Sequence, residues 1–220
     1  MEVKGIVKNY RKKTVLRDVS FLATAGQCIG IFGGNGSGKS TLLSVLAGIQ
    51  KADSGSFLWE GKELFAGREL RERLVGYVPQ GTPLLEELTA WDNLRLWYDK
   101  DKLRQELQSG TLAMLGIPEF LKTPVRKMSG GMRKRLTIGC AIANQPKILL
   151  LDEPSAALDL VCKEKIADYL KVYKKQGGII ILVTHDVQEM ELCDLCYILK
   201  DGVLVPYDFD GNVHRLAGLL

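Results

Sequence analysis

The sequence predicts an α/β fold, and three observations predict it. Continuous apolar runs at residues 28–32, 148–151 and 179–184 have the pattern of strands buried on both faces of a sheet. Helical patterns follow these runs, so strands and helices alternate along the chain. The first run leads into a glycine-rich turn and then into an apolar helical segment at residues 42–48, which is the arrangement of a phosphate-binding loop.

Length and composition are those of an ordinary globular protein. The 220 residues suit one domain, or a domain with a small subdomain, and 46% of them are hydrophobic and 25% charged. The net charge of +4 is too mild to indicate a nucleic-acid partner. We find no apolar stretch near the ~18–20 residues that span a bilayer, and no signal peptide. We therefore expect a cytosolic protein, unless another subunit holds it at a membrane.

The glycine-rich turn fits the spacing G-x-x-x-x-G-K-[ST]. Its residues are Gly33, Gly34, Asn35, Gly36, Ser37, Gly38, Lys39, Ser40 and Thr41. Glycines allow the backbone N–H groups to point inward and wrap a phosphate, and the following helix adds the positive end of its dipole. We expect Lys39 to reach the outer phosphates and the Ser40 hydroxyl to bind Mg²⁺. A chance match is the alternative, and the strand before the loop and the helix after it argue against that.

The remaining elements are predicted from hydrophobic periodicity and from the turn-forming residues between them. Strands are predicted near 2–7, 15–22, 74–78, 196–199 and 203–205, helices near 103–115, 129–143, 160–176 and 187–193, a short strand within 51–61, and polar turns at 10–13 and 201–202. Thr89 and Asp92 have the spacing of a capping box, which predicts a helix start. After it, Leu94, Trp97 and Tyr98 fall on one helical face that we expect to pack in the core. Residues 206–220 carry no usable pattern.

Carboxylates and a histidine follow two of the apolar runs. Asp152 and Glu153 come directly after residues 148–151, and His185 comes directly after the run that ends at Thr184. Because ligands of a parallel sheet bind at the carboxyl ends of its strands, these side chains are expected beside the phosphate loop. Asp152 is placed to hold Mg²⁺, Glu153 to polarise an attacking water and His185 to contact the γ-phosphate. A helix cap is the alternative for the acidic pair, because Pro154 is compatible with a helix start.

Two further clusters favour structural explanations. The basic stretch at residues 133–135 fits a nucleic-acid patch or a solvated helix face, and we favour the solvated face. Cys193 and Cys196 form a lone C-x-x-C, and no second ligand pair stands at a spacing that would make a zinc site. The odd count of five cysteines favours reduced thiols that serve in packing.

These motifs occur in a familiar order. Tyr10, the loop at 33–41, Gln80, the triplet Ser129, Gly130 and Gly131, the segment 151–154, Asp159 and the segment 184–186 follow one another along the chain. In this order and over nearly its whole length, the sequence resembles the nucleotide-binding domain of ATP-binding cassette (ABC) transporters. The Ser-Gly-Gly signature distinguishes that family from other phosphate-loop ATPases.

The resemblance implies a fold and a division of the chain. It implies a P-loop NTPase fold, namely an ABC ATPase core with a mixed sheet, an antiparallel β subdomain and an inserted α-helical subdomain. Residues 1–83 and 129–220 are then the core with the β subdomain, and residues 84–128 are the helical insert. The single ABC ATPase domain spans residues 1–220.

The resemblance also assigns roles to individual residues. It implies that Tyr10 stacks on adenine and that residues 33–41 hold the phosphates and Mg²⁺ of bound ATP. Gln80 contacts Mg²⁺ or the attacking water, Asp152 orders the metal and Glu153 is the general base. His185 clamps the γ-phosphate. In this family Ser129, Gly130 and Gly131 complete the site of a second subunit, so that two ATP molecules lie between subunits arranged head to tail, and Asp159 helps to join the halves.

Partners follow from the same resemblance. It implies an ATPase peripheral to the inner face of the membrane, bound to separate transmembrane permease subunits and to a second copy or a paralogous ATPase subunit, with no nucleic acid. Met128, Met132, Gly34 and Ala157 depart from the commonest family pattern. The string from Ser129 to Leu136 is similar to that of ATPases paired with ABC-2-type exporters. Two alternatives are a soluble ABC ATPase acting on nucleic acid or ribosomes, and a regulatory module without turnover, against which Glu153 argues.

Overall fold

The computed structural model describes residues 1–11 and 13–219, so Lys12 of the predicted polar turn and Leu220 of the tail lie outside the described residues. The strands are β1 (Glu2–Tyr10), β2 (Lys13–Leu22), β3 (Cys28–Phe32), β4 (Ser54–Trp59), β5 (Lys62–Glu63), β6 (Val75–Val78), β7 (Ile148–Asp152), β8 (Ile179–Val183), β9 (Leu195–Lys200) and β10 (Val203–Tyr207). The helices are α1 (Lys39–Leu46), α2 (Arg68–Leu74), α3 (Ala90–Arg95), α4 (Lys100–Ser109), α5 (Thr111–Met114), α6 (Gly130–Ala141), α7 (Leu160–Lys175), α8 (Val187–Met190) and α9 (Val213–Ala217), with 3₁₀ turns at Ile117–Phe120 and Val125–Lys127.

A mixed six-stranded sheet forms the centre of the molecule. Its order is β10-β9-β3-β8-β7-β6, and every pair is parallel except the hairpin of β9 and β10. The carboxyl ends of β3, β8 and β7 therefore lie side by side at one edge, where Ile31 pairs with Val183 and Val183 with Asp152 in register. This edge is where the phosphate loop, the acidic pair and His185 leave the sheet.

Both faces of this sheet are covered, as the continuous apolar runs predict. Alternate residues of β7 and β8 point to opposite sides, so Leu149 and Leu151 join one hydrophobic cluster and Ile148 and Leu150 join the other. The first cluster contains side chains of α3 to α7, and the second contains α1 and the inner face of the antiparallel sheet. The strands that carry the site are thus held from two sides.

The second sheet is antiparallel, with the order β2-β1-β4-β5. Its alternating pattern places Val3, Ile6, Leu16, Val19 and Phe57 in the core and leaves the other face exposed. The α/β class, the mixed sheet and the antiparallel sheet expected from the sequence are confirmed. Every regular element from Ala90 to Lys127 is helical, and the boundaries of the insert at 84–128 stay a prediction.

Several element predictions are wrong at their ends. The helix predicted at 103–115 is two helices, because Gly110 is extended and its neighbour Thr111 starts α5 with its amide donated to the Glu106 carboxylate at 2.8 Å. The helix predicted at 187–193 ends at Met190, since the chain turns there to enter β9. Leu74 ends α2, which the sequence did not predict, instead of starting a strand. Helix α9 also lies in the tail that carried no pattern.

Two burial predictions are wrong as well. Leu94 and Tyr98 are in the core, but Trp97 is 60% exposed, because α3 ends at Arg95 and the chain turns before the indole can follow the buried face. The basic stretch at 133–135 is not a solvated face, since Lys134 and Arg135 are 5% and 6% exposed. Backbone carbonyl groups accept hydrogen bonds from both buried cations: those of Pro79 and Gln80 from Lys134, and that of Leu115 from Arg135.

Within the described residues, no helix is both long enough and apolar enough to span a membrane. The five cysteines are free thiols, and Cys28 and Cys193 pack together with 3.8 Å between their sulfur atoms.

Candidate functional site

The phosphate loop joins the end of β3 to the start of α1. Lys39 is 7% exposed, and its ammonium group donates to the carbonyl oxygens of Gly33 at 2.6 Å and of Gly34 at 3.1 Å. Burial lowers the pKa of Lys39, and the nearby charges of Glu153 and Asp152 oppose that shift. The loop thus folds around its own cation, at the place where an anion is expected.

The backbone of the loop requires glycine at three positions. Gly33, Gly36 and Gly38 have φ angles of 157°, 78° and 110°, which residues with a Cβ rarely adopt. A Cβ on Gly38 would also lie 3.0 Å from Val15 Cγ1, whereas a Cβ on Gly36 would meet open space. The loop is therefore pressed against β2 on one side and open on the other, as an anion cradle must be.

Donors without hydrogen-bond partners lie in this loop and at the start of α1. The start of α1 has Gly38 as its N-cap and no side chain that caps it, so the first amides of the helix have no intrahelical acceptor. The Ser37 hydroxyl is buried and has no hydrogen-bond partner. Unpaired buried donors of this kind are costly unless a ligand accepts from them, and the positive end of the helix dipole adds to their preference for an anion. The residues present therefore fit a phosphate chain.

Asp152 ends β7 beside the first turn of α1. The carboxyl group is 3% exposed, and burial raises its pKa, while a hydrogen bond with the Ser40 hydroxyl and the charge of Lys39 oppose the shift. A carboxylate and a hydroxyl are oxygen donors of the type that Mg²⁺ prefers. The pair fits a magnesium ion, with further positions left to phosphate oxygens and water.

Glu153 is the point at which the predicted catalytic residues meet. Its carboxylate accepts a hydrogen bond from Gln80 Nε2 at 3.0 Å, and His185 Nε2 lies 3.6 Å from its other oxygen. Its φ angle of 48° is in the left-handed region, and its amide donates to Val183 at 2.8 Å. A non-glycine residue in this conformation is held there by its surroundings, here by the edge of β8.

His185 stands on a loop with its own polar support. The Thr184 hydroxyl is hydrogen-bonded to the buried carboxyl group of Glu189, and it accepts from the Asp186 amide at 2.9 Å. Burial raises the pKa of Glu189. Asp186 caps α8 and pairs with Lys163 of α7. Hydrogen bonds therefore hold the turn that contains His185, whose side chain is 44% exposed and lies 3.6 Å from Glu153.

The Ser-Gly-Gly triplet lies at the start of α6, away from the loop of its own chain. The Ser129 hydroxyl caps the helix by accepting from the Met132 amide at 3.2 Å. Gly130 is exposed, whereas Gly131 packs so closely on α7 that a Cβ there would lie 2.4 Å from Cys162 Sγ. Asp159 caps α7 by accepting from the Cys162 amide at 2.9 Å, a contact that lowers its pKa. No hydrogen bond within the described residues joins residues 129–131 to residues 33–41.

Tyr10 lies at the end of β1, 43% exposed. Its hydroxyl is hydrogen-bonded to Gln50, and the ammonium group of Lys8 lies 5.4 Å from the centre of its ring. The structure therefore brings together Lys39, Ser40 and Asp152 in one group and Gln80, Glu153 and His185 in an adjoining one. Tyr10 pairs in register with Lys13 of β2, and residues 13–15 line a pocket together with Gly36 and Ser37 of the phosphate loop, whereas the Ser129 triplet makes no hydrogen bond to that loop.

Sequence reasoning missed two residues that hold the loop after β6. Lys134 donates to the carbonyl groups of Pro79 and Gln80, each at 2.9 Å. Asn93, 2% exposed, accepts from the Leu85 amide and donates to the Leu85 carbonyl. A usable signal existed for Lys134, because it lies three residues after Gly131 and four before Ile138, on the buried face of α6.

Comparisons with known proteins agree with this geometry. The sequence model of the family described as "ABC transporter" matches residues 16–156. The lantibiotic transport ATP-binding protein SrtF of Streptococcus pyogenes is 30% identical over 214 residues, which cover 96% of this chain and 92% of that protein. The Nod factor export ATP-binding protein I of Sinorhizobium fredii is 34% identical over 221 residues, which cover 98% of this chain and 64% of that protein.

A solved structure has the same fold. The chain is similar to the ATP-binding cassette MJ0796, solved as a dimer in a post-hydrolysis state bound to ADP and Pi, with a TM-score of 0.83 and 28% sequence identity. The similarity covers 92% of this chain and 95% of that one.

Proposed function

The chain belongs to the ABC transporter family as an ATP-binding and ATP-hydrolysing subunit, and we propose that two copies close head to tail on two ATP molecules to drive an exporter. The soluble ABC ATPase that acts on nucleic acid or ribosomes, the alternative function, has no support from the relatives described above. The site residues predicted from the sequence are carried into this proposal with their roles.

One observation carries the proposal: Glu153 is held at the end of β7 by Gln80 on one side and faces His185 on the other. A carboxylate positioned by an amide donor can accept the proton of an attacking water, which is what a general base must do. The exposed imidazole of His185 is within reach of the same region and can donate to the terminal phosphate. Both stand at the sheet edge that carries the phosphate loop.

ATP and Mg²⁺ are assigned to the groups that fit them. We assign the triphosphate to the amides of residues 33–41 and to the Lys39 ammonium group, and adenine to Tyr10. Ser40, Asp152 and Gln80 would hold Mg²⁺, which supplies neutralisation of charge on the outer phosphates. Burial strengthens the electrostatic contacts of Lys39 and Asp152, because the local dielectric constant is lower than in water.

A second subunit would complete the site. The amide groups at the start of α6 and the exposed Gly130, which has no side chain, allow a close approach to an anion. Ser129 and Asp159 lie on the same exposed surface, because Gly131 holds α6 against α7. Since this surface does not contact the phosphate loop of its own chain, the head-to-tail arrangement gives it a nucleotide to bind. The partner is a second copy or a paralogous subunit.

Transmembrane permease subunits are proposed to dock in a groove beside Gln80, which would hold the chain at the inner face of the membrane. The groove has a volume of about 960 Å³ and lies between α1, α3, β6 and α6. Its exposed apolar side chains are Ile49, Leu85, Leu96 and Trp97. A contiguous group of exposed apolar side chains such as this one is typical of a protein interface. Export as the direction is supported by one of the two relatives, the Nod factor export ATP-binding protein I.

The test is the substitution Glu153→Gln. It removes the base and keeps the shape and the hydrogen-bonding capacity of the side chain, so we expect ATP turnover to fall by about 10²–10⁴-fold. ATP binding persists, and a dimer accumulates in the presence of ATP, as measured by light scattering after size-exclusion chromatography. The exposed Glu191→Gln is the matched control and keeps normal turnover. Normal turnover in Glu153→Gln, or a monomer in every nucleotide state, overturns the proposal.

A further inference from the structure

Lys134 is a buried cation that the roles proposed above do not use. It is 5% exposed on α6, and its ammonium group donates to the carbonyl oxygens of Pro79 and Gln80 at 2.9 Å each. Among the described residues, no carboxylate oxygen lies within 4.0 Å of its ammonium nitrogen, so Lys134 forms no ion pair there. The side chain therefore joins helix α6 to the loop after β6 through backbone groups alone.

A buried ammonium group is an expensive way to hold two elements together. Burial lowers the pKa of Lys134, and the more distant charges of Asp152, Glu153 and Glu189 oppose that shift. Apolar side chains of similar volume commonly replace buried charges without loss of stability. Packing alone therefore gives no reason for a lysine at this position, whereas two carbonyl oxygens that must be fixed in space do.

The two ends of this link are both parts of the proposed catalytic cycle. Lys134 lies five residues after Ser129, which is about 7.5 Å along the helix. At its other end, the carbonyl group that it binds belongs to Gln80, whose side-chain amide donates to Glu153 at 3.0 Å. A continuous path thus runs from Ser129 at the start of α6 to the carboxylate of the base.

We propose that Lys134 is a positioning residue, whose ammonium group fixes the backbone of Gln80 so that the Gln80 amide orients Glu153. The inference rests on the proposed function and deepens it. When α6 meets the nucleotide of the partner subunit, any displacement of the helix is transmitted to Gln80 through this link. The general base Glu153 of each subunit is thereby coupled to ATP binding at the other site, without a direct contact between the two nucleotides.

Arg133, the neighbouring residue, holds a different part of the same loop. Its guanidinium group donates to Glu86 and to the carbonyl oxygens of Arg126 and Met128. These contacts brace the loop near Glu86 and do not reach Gln80. Of these two neighbouring residues, Lys134 is the one that contacts the backbone of Gln80.

The test is a double-mutant cycle on the full chain, with Lys134→Met and Gln80→Ala. Lys134→Met keeps the volume and removes the donors, so we expect kcat to fall about 10–100-fold with KM for ATP unchanged within about threefold, since a misplaced catalytic group costs rate more than binding. If Lys134 acts through Gln80, the double variant is no slower than the slower single variant. If the loss of kcat in the double variant equals the product of the losses in the two single variants, the proposal is overturned. Lys134→Gln, which retains an amide donor, recovers part of kcat and replaces Lys134→Met if the latter does not fold.

Lys102→Met is the matched control, because Lys102 also donates to a backbone carbonyl group, that of Ala143 at 2.7 Å, but lies outside the site. It keeps the kcat of the wild type. Amide hydrogen exchange in residues 77–85 supplies a readout that does not need turnover. We expect faster exchange there in Lys134→Met and no change in Lys102→Met, and equal exchange in the two variants overturns the proposal. If the wild type itself lacks ATPase activity, the proposed function fails, and this exchange measurement still decides the role of Lys134.

Discussion

Lys39 and Lys134 use the same local chemistry in two loops with different tasks. Each is almost fully buried, each donates to two successive backbone carbonyl groups, and burial lowers the pKa of each. Lys39, however, begins a helix whose first amides have no partners, in a loop open to solvent. Lys134 lies within a helix and faces a loop that Asn93 and Arg133 also hold.

The difference shows what decides whether a buried cation can exchange its partners. Under the proposed function, a triphosphate would replace the carbonyl groups that Lys39 binds, since an anion in the cradle offers the ammonium group stronger, charge-assisted hydrogen bonds. Lys134 lies inside α6 rather than at its start, and both of its acceptors are backbone carbonyl groups of the loop after β6. One lysine is therefore available to a ligand, and the other maintains the structure around it.

The largest effect that can break this comparison concerns nucleotide affinity. Lys39→Met removes a charge-assisted contact worth about 1.5–3 kcal/mol, so we expect ATP to bind about 10–150-fold more weakly. Lys134→Met removes two contacts within the protein and leaves the affinity within about threefold of the wild type. Titration with a fluorescent ATP analogue measures both. Equal weakening in the two variants would mean that both lysines bind the nucleotide.

A smaller effect concerns stability, because the backbones of the two loops differ in their tolerance of an added Cβ. Gly38→Ala forces a Cβ into a left-handed conformation and against Val15, which we expect to destabilise the fold by about 2–3 kcal/mol. A Cβ on Gly81, next to Gln80, meets nothing within 4 Å, so Gly81→Ala changes stability by less than about 0.5 kcal/mol. Urea denaturation compares the two variants. Similar free energies of unfolding would show that the phosphate loop relaxes around the added methyl group.

The smallest effect sharpens the account of the loop after β6. Asn93→Ala removes the side chain that pairs with both backbone groups of Leu85, and we expect a loss of about 1–2 kcal/mol in the free energy of unfolding. The exposed Asn144→Ala serves as the control and stays near the wild type. Thermal unfolding of the two variants gives the comparison. If Asn93→Ala is neutral, Lys134 and Arg133 suffice to hold the loop.

The sequence carries the parts of this fold that depend on local chemistry. The phosphate loop, its flanking strand and helix, the buried strands β7 and β8 and the capping box at Thr89 follow from glycine positions, apolar runs and cap spacing. The carboxyl-edge placement of Asp152 and Glu153 follows from the parallel strands that precede them. The interactions that decide the phosphate loop and the capping box join residues close in sequence.

The rest depends on contacts with distant parts of the chain. Helix α2 was missed because it buries only Leu74, so its sequence has no apolar stripe. The burial of Lys134 was missed because its acceptors stand more than fifty residues earlier, and a basic stretch on a helix usually faces water. Trp97 was placed in the core by helical periodicity, but the helix ends two residues before it.

The exposed indole of Trp97 provides an optical signal for the groove proposed as the docking site. The ring lies at the mouth of the groove with 60% of its surface in water, whereas Trp59 and Trp91 are partly buried. A segment that fills the groove must strip water from this ring, and the emission of a tryptophan shifts to shorter wavelengths when its surroundings become apolar. Assembly with a membrane partner can therefore be followed by the intrinsic fluorescence of the unlabelled chain.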